Sequence, residues 1–243
     1  MKILRLLLLF LLPGLFASCE HGSEIPREAE HPDLSSGVFF INLPYHYPLI
    51  EETQILFKSR KTTDVKQIPY ELMHGAPLEK GFSAMSLVGS KIAFHGPYLP
   101  YIYLADPSDL SVTDTLSGFY HPSVIGHHEG RYYVADNYSG TCRILIFNEN
   151  ESAPAFIIPI KYAVNEIHFL DDFMFLTPLS PEQHEIAKIS LWANSVQYGY
   201  AGSAPASMEI DGSNKLWILC NGYYENLADT TTWNKASLVK MNP

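Results

Sequence analysis

The sequence predicts an all-β fold, a β-propeller of four-stranded blades, and three observations predict it. A hairpin pattern (apolar run, tight turn, second apolar run) recurs four times at a nearly constant interval. A third run follows every copy, and a fourth run follows the first three. No stretch after residue 36 shows a sustained helical period with capping residues. Four short strands per repeat of roughly 40–45 residues are typical of propeller blades.

The spacing of the hairpins carries the prediction. They cover residues 84–94, 122–134, 165–176 and 206–219. The residues that open their second runs are Lys91, Arg131, Phe173 and Lys215, at intervals of 40, 42 and 42 residues. A β-sandwich also has short strands and regular turns. It does not predict one hairpin repeated at a constant interval, so the spacing favours the propeller.

The remaining runs define how many units are complete. Third runs are predicted at residues 101–105, 143–147, 187–191 and 237–241, and fourth runs at residues 111–116, 155–160 and 195–200. Residues 37–42 match a second run and are followed by runs at 53–58 and 63–68, so the first unit lacks its inner strand. The last unit ends at its third run. We expect about five units, three complete and two partial, with open edges that make the chain prone to aggregation or only marginally stable.

Residues 1–18 are predicted to be an export signal. Lys2 and Arg5 precede an apolar run at residues 6–12, and Pro13-Gly14 interrupts it. A membrane-spanning helix needs roughly 20 apolar residues in a row, so the run is too short for one. We expect this segment to be removed.

Cys19 follows small residues in an order that resembles a bacterial lipobox. We expect diacylglycerol and an acyl chain such as palmitate on Cys19, because two or more chains anchor a protein where one does not. Ordinary secretion with an unmodified cysteine is the alternative. Residues 19–36 are polar and aperiodic, so they are predicted to be a lipidated flexible tether. Residues 37–243 then form the propeller domain.

Composition excludes some partners. Apolar residues make up 47% and charged residues 17% of the chain, so we expect a folded core. The net charge is −10, and removal of residues 1–18 makes it −12. No basic stripe is present, which argues against nucleic acid as the main partner. Cys142 and Cys220 are predicted to be buried thiols rather than a disulfide.

One face of the propeller is predicted to carry the function. In a four-stranded blade, the loop between the second and third strands lies on the same face as the connection between blades. Aromatic rings there suit stacking on a flat ligand or a sugar, and they equally suit a protein interface. Filling of gaps between blades is the structural alternative. The candidate ligand-binding residues are Tyr45, His46, Tyr98, His121, Tyr138, His184, Tyr223, Tyr224 and Trp233, and Phe82, Tyr120 and Tyr162 are further rings in the connections.

Catalytic and metal-binding motifs are not found in the sequence. The chain has no nucleophile-elbow serine, phosphate-binding loop, dinucleotide-binding glycine pattern or spaced calcium loop. His127-His128 is a pair that could bind metal, but a solvated turn is the preferred interpretation. We therefore expect no cofactor, no metal site and no enzymatic activity.

Residues 211–222 (DGSNKLWILCNG) and 236–243 (ASLVKMNP) resemble the YncE-like (YVTN-type) surface lipoproteins, a propeller family of largely unknown function. The resemblance extends over residues 37–243, and it implies a seven-bladed parent of which this chain is a C-terminally truncated copy. It implies a corrinoid ligand and a TonB-dependent transporter as partner, since one relative is a cell-surface cobalamin-binding lipoprotein. Another branch binds single-stranded DNA.

The function expected from sequence is that of a non-enzymatic lipoprotein of the outer membrane, on the cell surface or on its periplasmic face. Its aromatic face would bind a small molecule, such as a corrinoid, or a partner transporter. A propeller enzyme acting on a glycan or lactone is the first alternative. Single-stranded nucleic-acid binding is the second, and the negative charge gives it poor support.

Overall fold

The computed structural model describes residues 37–42, 54–59, 65–68, 82, 84–96, 99–139, 141–224, 233–234 and 236–241. Within these residues every regular element is a β-strand, twenty in all. They form three four-stranded sheets, two three-stranded sheets and one two-stranded ladder, all antiparallel. No helix of the described residues is long and apolar enough to cross a membrane.

The sheets follow one another along the chain, and we number them as blades. Blade I contains β1 (Gly37–Asn42), β2 (Gln54–Ser59) and β3 (Val65–Ile68). Blade II contains β4 (Ala84–Val88), β5 (Lys91–His95), β6 (Tyr101–Ala105) and β7 (Val112–Ser117). Blade III contains β8 (Pro122–His128), β9 (Arg131–Tyr138), β10 (Thr141–Asn148) and β11 (Phe156–Ile160). Blade IV contains β12 (Val164–Leu170), β13 (Phe173–Pro178), β14 (Glu185–Ser190) and β15 (Val196–Tyr200). Blade V contains β16 (Pro205–Ile210), β17 (Leu216–Cys220) and β20 (Ser237–Met241), and β18 (Tyr223–Tyr224) pairs with β19 (Trp233–Asn234) between them.

The predicted fold class is confirmed: in the part of the chain that the structure describes, blades II to IV have four strands each, and blades I and V have three. The first strands of blades II to V contact one another in succession, β4 with β8, β8 with β12 and β12 with β16. These strands therefore lie nearest the common centre, as in a propeller. In blade V the third strand, β20, is largely exposed, whereas the third strands of blades II to IV are mostly buried. Among the described residues, a fourth strand covers the third strand in blades II to IV, and none covers β20.

Apolar side chains fill the seams between neighbouring blades. Strand residues alternate between the two faces of a sheet. A blade between two neighbours therefore contributes one set of apolar side chains to the seam on each side. Val134 and Leu145 of blade III meet Ile102 and Leu104 of blade II. The opposite face of blade III and blade IV form a second cluster, and blades IV and V form a third.

The histidine pair of blade III belongs to these seams, which corrects the expectation of a solvated turn. His127 and His128 end β8, and the turn itself is Glu129-Gly130. The imidazole of His127 lies 2.8 Å from Glu149. The ring of His128 stacks on Phe169 of blade IV at a centroid distance of 5.0 Å. Successive strand residues point to opposite faces, so the two rings pack in different seams.

Gly126 makes room for that packing. A Cβ atom at this position would lie 2.7 Å from the ring of Phe169, closer than van der Waals contact permits. Any side chain here would displace Phe169 and the His128 ring stacked on it. The glycine is therefore explained by close approach between blades III and IV.

Candidate ligand-binding face

The loops after second strands and the connections between blades meet at one end of the sheets, which we call the loop face. In the described residues it comprises the connections 118–121, 161–163 and 201–204 and the segments that follow β9 and β13. The amide of Asn137, at the end of β9, donates to the carbonyl of His121, 3.0 Å away in the connection before β8. The amide of Ala201 donates in the same way to the carbonyl of His184, at 2.9 Å. Loops and connections are thus joined as the blade topology predicts.

A buried carboxylate organises the loop face at the seam between blades II and III. The Asp136 side chain is 0% exposed. Its oxygens accept hydrogen bonds from the backbone amides of Tyr120, at 2.9 and 3.1 Å, and His121, at 2.6 Å. The Nε atom of Arg143 donates to the same carboxylate at 2.8 Å. Asp136 therefore fixes the backbone of the connection at residues 118–121, which carries the side chains of Tyr120 and His121.

The guanidinium of Arg143 packs against one face of the Tyr120 ring. Its guanidinium lies 4.4 Å from the centroid of that ring, a cation–π contact. A second nitrogen of the same group donates to the carbonyl of Gly118 at 2.8 Å. Stacking, backbone hydrogen bond and ion pair together restrict the guanidinium to one position. The cation–π contact therefore orders the ring of Tyr120, although this ring is largely exposed.

A small aromatic platform consists of the exposed rings of Tyr120 and Tyr138 and the half-buried ring of His121. The rings of Tyr120 and Tyr138 have centroids 5.2 Å apart. The rings of His121 and Tyr138 are nearly parallel, at 13°, with centroids 5.9 Å apart. Tyr120 is 60% and Tyr138 55% exposed. Exposed rings held on a buried ionic base present a preorganised surface for stacking.

A similar group of side chains lies at the seam between blades III and IV. The ammonium of Lys161 lies 4.1 Å from the ring centroid of Tyr198 and pairs with Glu185. The phenol oxygen of Tyr198 accepts the backbone amide of Lys161 at 3.1 Å. His184 and Tyr200 form a ring pair with centroids 6.4 Å apart, and Tyr200 is 73% exposed. Tyr198 and Tyr200 lie in the fourth run predicted at residues 195–200, an outer strand and not a loop, so the sequence did not predict them as candidates.

The structure brings only some of the predicted residues into these groups. His121 and Tyr138 lie in the platform, and His184 lies at the second seam. Tyr224 and Trp233 are directly opposed in the β18–β19 ladder, next to Tyr223, so this part of the predicted loop is a short hairpin-like extension. Tyr45, His46, Tyr98 and Cys19 lie outside the described residues.

Two further rings of the predicted face instead fill gaps in the interior. Phe82 is completely buried and packs edge-on against Phe94. Tyr162 is buried, and its hydroxyl donates to the carbonyl of Leu176 at 3.1 Å. Burial raises the pKa of Tyr162. At Phe82 and Tyr162 the alternative interpretation, that the rings fill gaps in the fold, is therefore correct.

The thiols and metal ligands of the described residues supply no second site. Cys142 and Cys220 are free and buried, as predicted. Burial raises the pKa of Cys142 to about 12, which keeps it protonated and unreactive at neutral pH. Histidine, cysteine, aspartate and glutamate side chains form no group of three or more suited to a metal ion within the part of the chain that the structure describes.

Solved structures place the chain in the class of β-propellers. It is similar to the hydrazine synthase of Kuenenia stuttgartiensis, with a TM-score of 0.63 and 10% identity over 85% of this chain and 60% of that one. It is similar to U3-55K, with a TM-score of 0.57 and 12% identity over 79% and 57% of the two chains. The β-propeller domain of Cps50 (Swd1) from Myceliophteria thermophila gives a TM-score of 0.51 and 11% identity over 79% and 67%.

These likenesses show the fold alone, because propellers support many functions and the identities are low. The chain spans about three fifths of the length of the first two structures. No family model and no curated protein matches the sequence.

Proposed function

We propose that this chain is a non-enzymatic binding lipoprotein, anchored to the outer membrane through Cys19, whose loop face holds a small ligand on tyrosine and histidine rings. The platform of Tyr120, His121 and Tyr138 carries the proposal. Its two tyrosine rings are exposed, while Asp136 and Arg143 next to them are buried or committed to hydrogen bonds. An arrangement that orders exposed aromatic side chains supports recognition, because the entropy of ordering them is lost before the ligand arrives.

The resemblance to surface lipoproteins supports a corrinoid as the first ligand to test and a TonB-dependent transporter as the receiving partner. A corrin ring is broad and flat, so it can stack on several rings at once. The platform offers three neighbouring rings within about 6 Å centroid spacing. Contact with the transporter is the alternative function of this face. Binding measurements on the isolated protein, without the transporter, distinguish the two functions.

Removing two platform rings is expected to weaken corrinoid binding by about 30-fold or more, because each stacked ring contributes roughly 1–3 kcal/mol for nucleic-acid bases. The measurement is calorimetric titration of cobalamin and cobinamide into wild type and the Tyr120→Ala/Tyr138→Ala variant. Trp192→Ala is the matched control, since Trp192 is 90% exposed in the turn between β14 and β15, at the opposite end of the sheets. Equal binding by wild type and the double variant would place the site elsewhere.

The anchor is tested separately. Cys19→Ala is expected to release the protein from the membrane fraction and abolish labelling with radioactive palmitate, because the acyl chains are attached at this residue in the proposal. Cys142→Ala is the control, since that thiol is buried in the fold. Continued labelling of the Cys19 variant would contradict the lipoprotein assignment.

A further inference from the structure

The same arrangement of side chains occurs at two successive seams of the loop face. At the first seam, Arg143 pairs with Asp136 and lies over the ring of Tyr120. At the second, Lys161 pairs with Glu185 and lies over the ring of Tyr198. Each seam thus contains a cation that is neutralised by a carboxylate and stacked on a tyrosine.

Each seam also carries a histidine–tyrosine ring pair built in the same way. The histidine immediately precedes a strand, His121 before β8 and His184 before β14. The tyrosine ends the antiparallel neighbour of that strand, Tyr138 at β9 and Tyr200 at β15. In each pair a backbone hydrogen bond joins the histidine to a residue next to the tyrosine. The amide of Asn137 donates to the carbonyl of His121, and the amide of Ala201 donates to the carbonyl of His184.

The strand registers place the two ring pairs on matching sides of their blades. Asp136 and Tyr138 share the face of blade III that packs on blade II, together with Val134. Glu185 and Tyr200 are directly opposed in register, and with Ala187 they share the face of blade IV that packs on blade III. The first pair belongs to the first and second strands of blade III, and the second pair to the third and fourth strands of blade IV. Only an extended ligand can therefore reach both pairs.

The charges at these seams select against an anionic ligand. Arg143 commits two of its nitrogens to Asp136 and Gly118, and Lys161 is held by Glu185. Phosphate recognition requires cations that are available to neutralise the ligand, and single-stranded nucleic acids bind where stacking rings line a basic groove. The chain as a whole carries a charge of −10. The rings remain as the recognition elements, so the favoured ligand is uncharged.

We propose that the loop face binds an uncharged, linear oligosaccharide, with different sugars of one extended chain stacking on the ring pairs of Tyr138 and Tyr200. Two separate ring pairs on one face match a ligand with repeating units that have an apolar face. The paired cations argue against nucleic acid, the charged ligand with repeating units. The inference rests on the proposed binding function and specifies its ligand class. Binding at both seams multiplies affinity for a long chain, because the second contact is intramolecular.

The test is a chain-length series. Cello-, malto- and manno-oligosaccharides of two and six sugars are titrated calorimetrically into wild type, Tyr138→Ala, Tyr200→Ala and Trp192→Ala. For at least one series we expect the six-sugar chain to bind tenfold or more tightly than the two-sugar chain. We expect either tyrosine-to-alanine change to weaken the six-sugar complex by about 5- to 150-fold. Tyr138→Phe and Tyr200→Phe keep the rings and should retain most of the binding, and Trp192→Ala should not change it.

Three outcomes would overturn the inference. If cobalamin binds to the platform and no oligosaccharide does, the proposed binding function stands and the glycan assignment fails. If oligothymidylate binds more tightly than the six-sugar chains, the charge argument is wrong and the ligand is nucleic acid. If neither corrinoid nor oligosaccharide binds, the glycan inference fails together with the corrinoid proposal.

Discussion

Replacing Asp136 with alanine is expected to lower the free energy of unfolding by about 3–5 kcal/mol, because it leaves a partly buried guanidinium without its counter-ion. The change also deprives the amides of Tyr120 and His121 of their acceptor. The carboxylate is completely buried, so water cannot replace it without rearrangement. Denaturant unfolding followed by circular dichroism measures the change.

Asp114→Ala is the matched control for this prediction. Asp114 pairs with Lys91 on the same propeller, but both side chains are partly exposed. Partly exposed pairs of this kind contribute about 1 kcal/mol or less. A loss of similar size in the two variants would show that Asp136 does not organise the connection between blades II and III.

Acid is expected to destabilise the fold through His95. This side chain ends β5, is 3% exposed and has an Nε2 atom without a hydrogen-bond partner in the described part of the chain. Burial lowers its pKa from 6.5 to about 4, against a smaller opposing effect of a hydrogen bond to the backbone of Pro122. Above pH 6.5 the residue is neutral whether folded or unfolded and has no effect. As the pH falls from 6.5 towards 4, only the unfolded chain takes up the proton, so stability falls by about 3 kcal/mol.

The measurement for His95 is the unfolding free energy between pH 7 and pH 4 for wild type and His95→Gln. Glutamine is neutral at every pH and can still donate to the carbonyl of Pro122. The other histidines and the carboxylates are common to both proteins, so their contributions cancel in the difference. We expect the glutamine variant to lose less stability on acidification. Parallel pH profiles would show that the pKa of His95 is the same in the folded and the unfolded chain, which would contradict the prediction.

The sequence predicted the strands well because their determinants are local. Apolar runs, tight turns and a constant repeat defined the strands of blades II to IV to within four residues at their ends, and β6 matches at Tyr101–Ala105. In blade V the run predicted at residues 237–241 matches β20. The β18–β19 ladder was not predicted, because each strand has only two residues and shows no period.

The binding face was predicted less completely because it depends on contacts between blades. The blade topology indicated correctly that His121 and Tyr138 lie at one end, and the structure places their rings 5.9 Å apart. The roles of Asp136 and Arg143 required knowledge of their register on β9 and β10, where they are directly opposed. Burial of Tyr162 depends on its contact with blade IV, which lies beyond any local pattern. An acidic residue at the end of an apolar run was the available signal for Asp136.

Hydrogen exchange of the backbone amides, with and without ligand, tests most directly the claim that this propeller binds through its loop face. Cobalamin and the six-sugar oligosaccharides are the probes, and exchange is read by mass spectrometry of peptides. We predict slower exchange in residues 118–121 and 137–143 with either ligand, extending to 179–185 and 198–203 with the oligosaccharides. The turns at 129–130, 149–155, 171–172 and 191–195 should exchange at unchanged rates. Protection confined to those turns, with the loop face unchanged, would contradict the account.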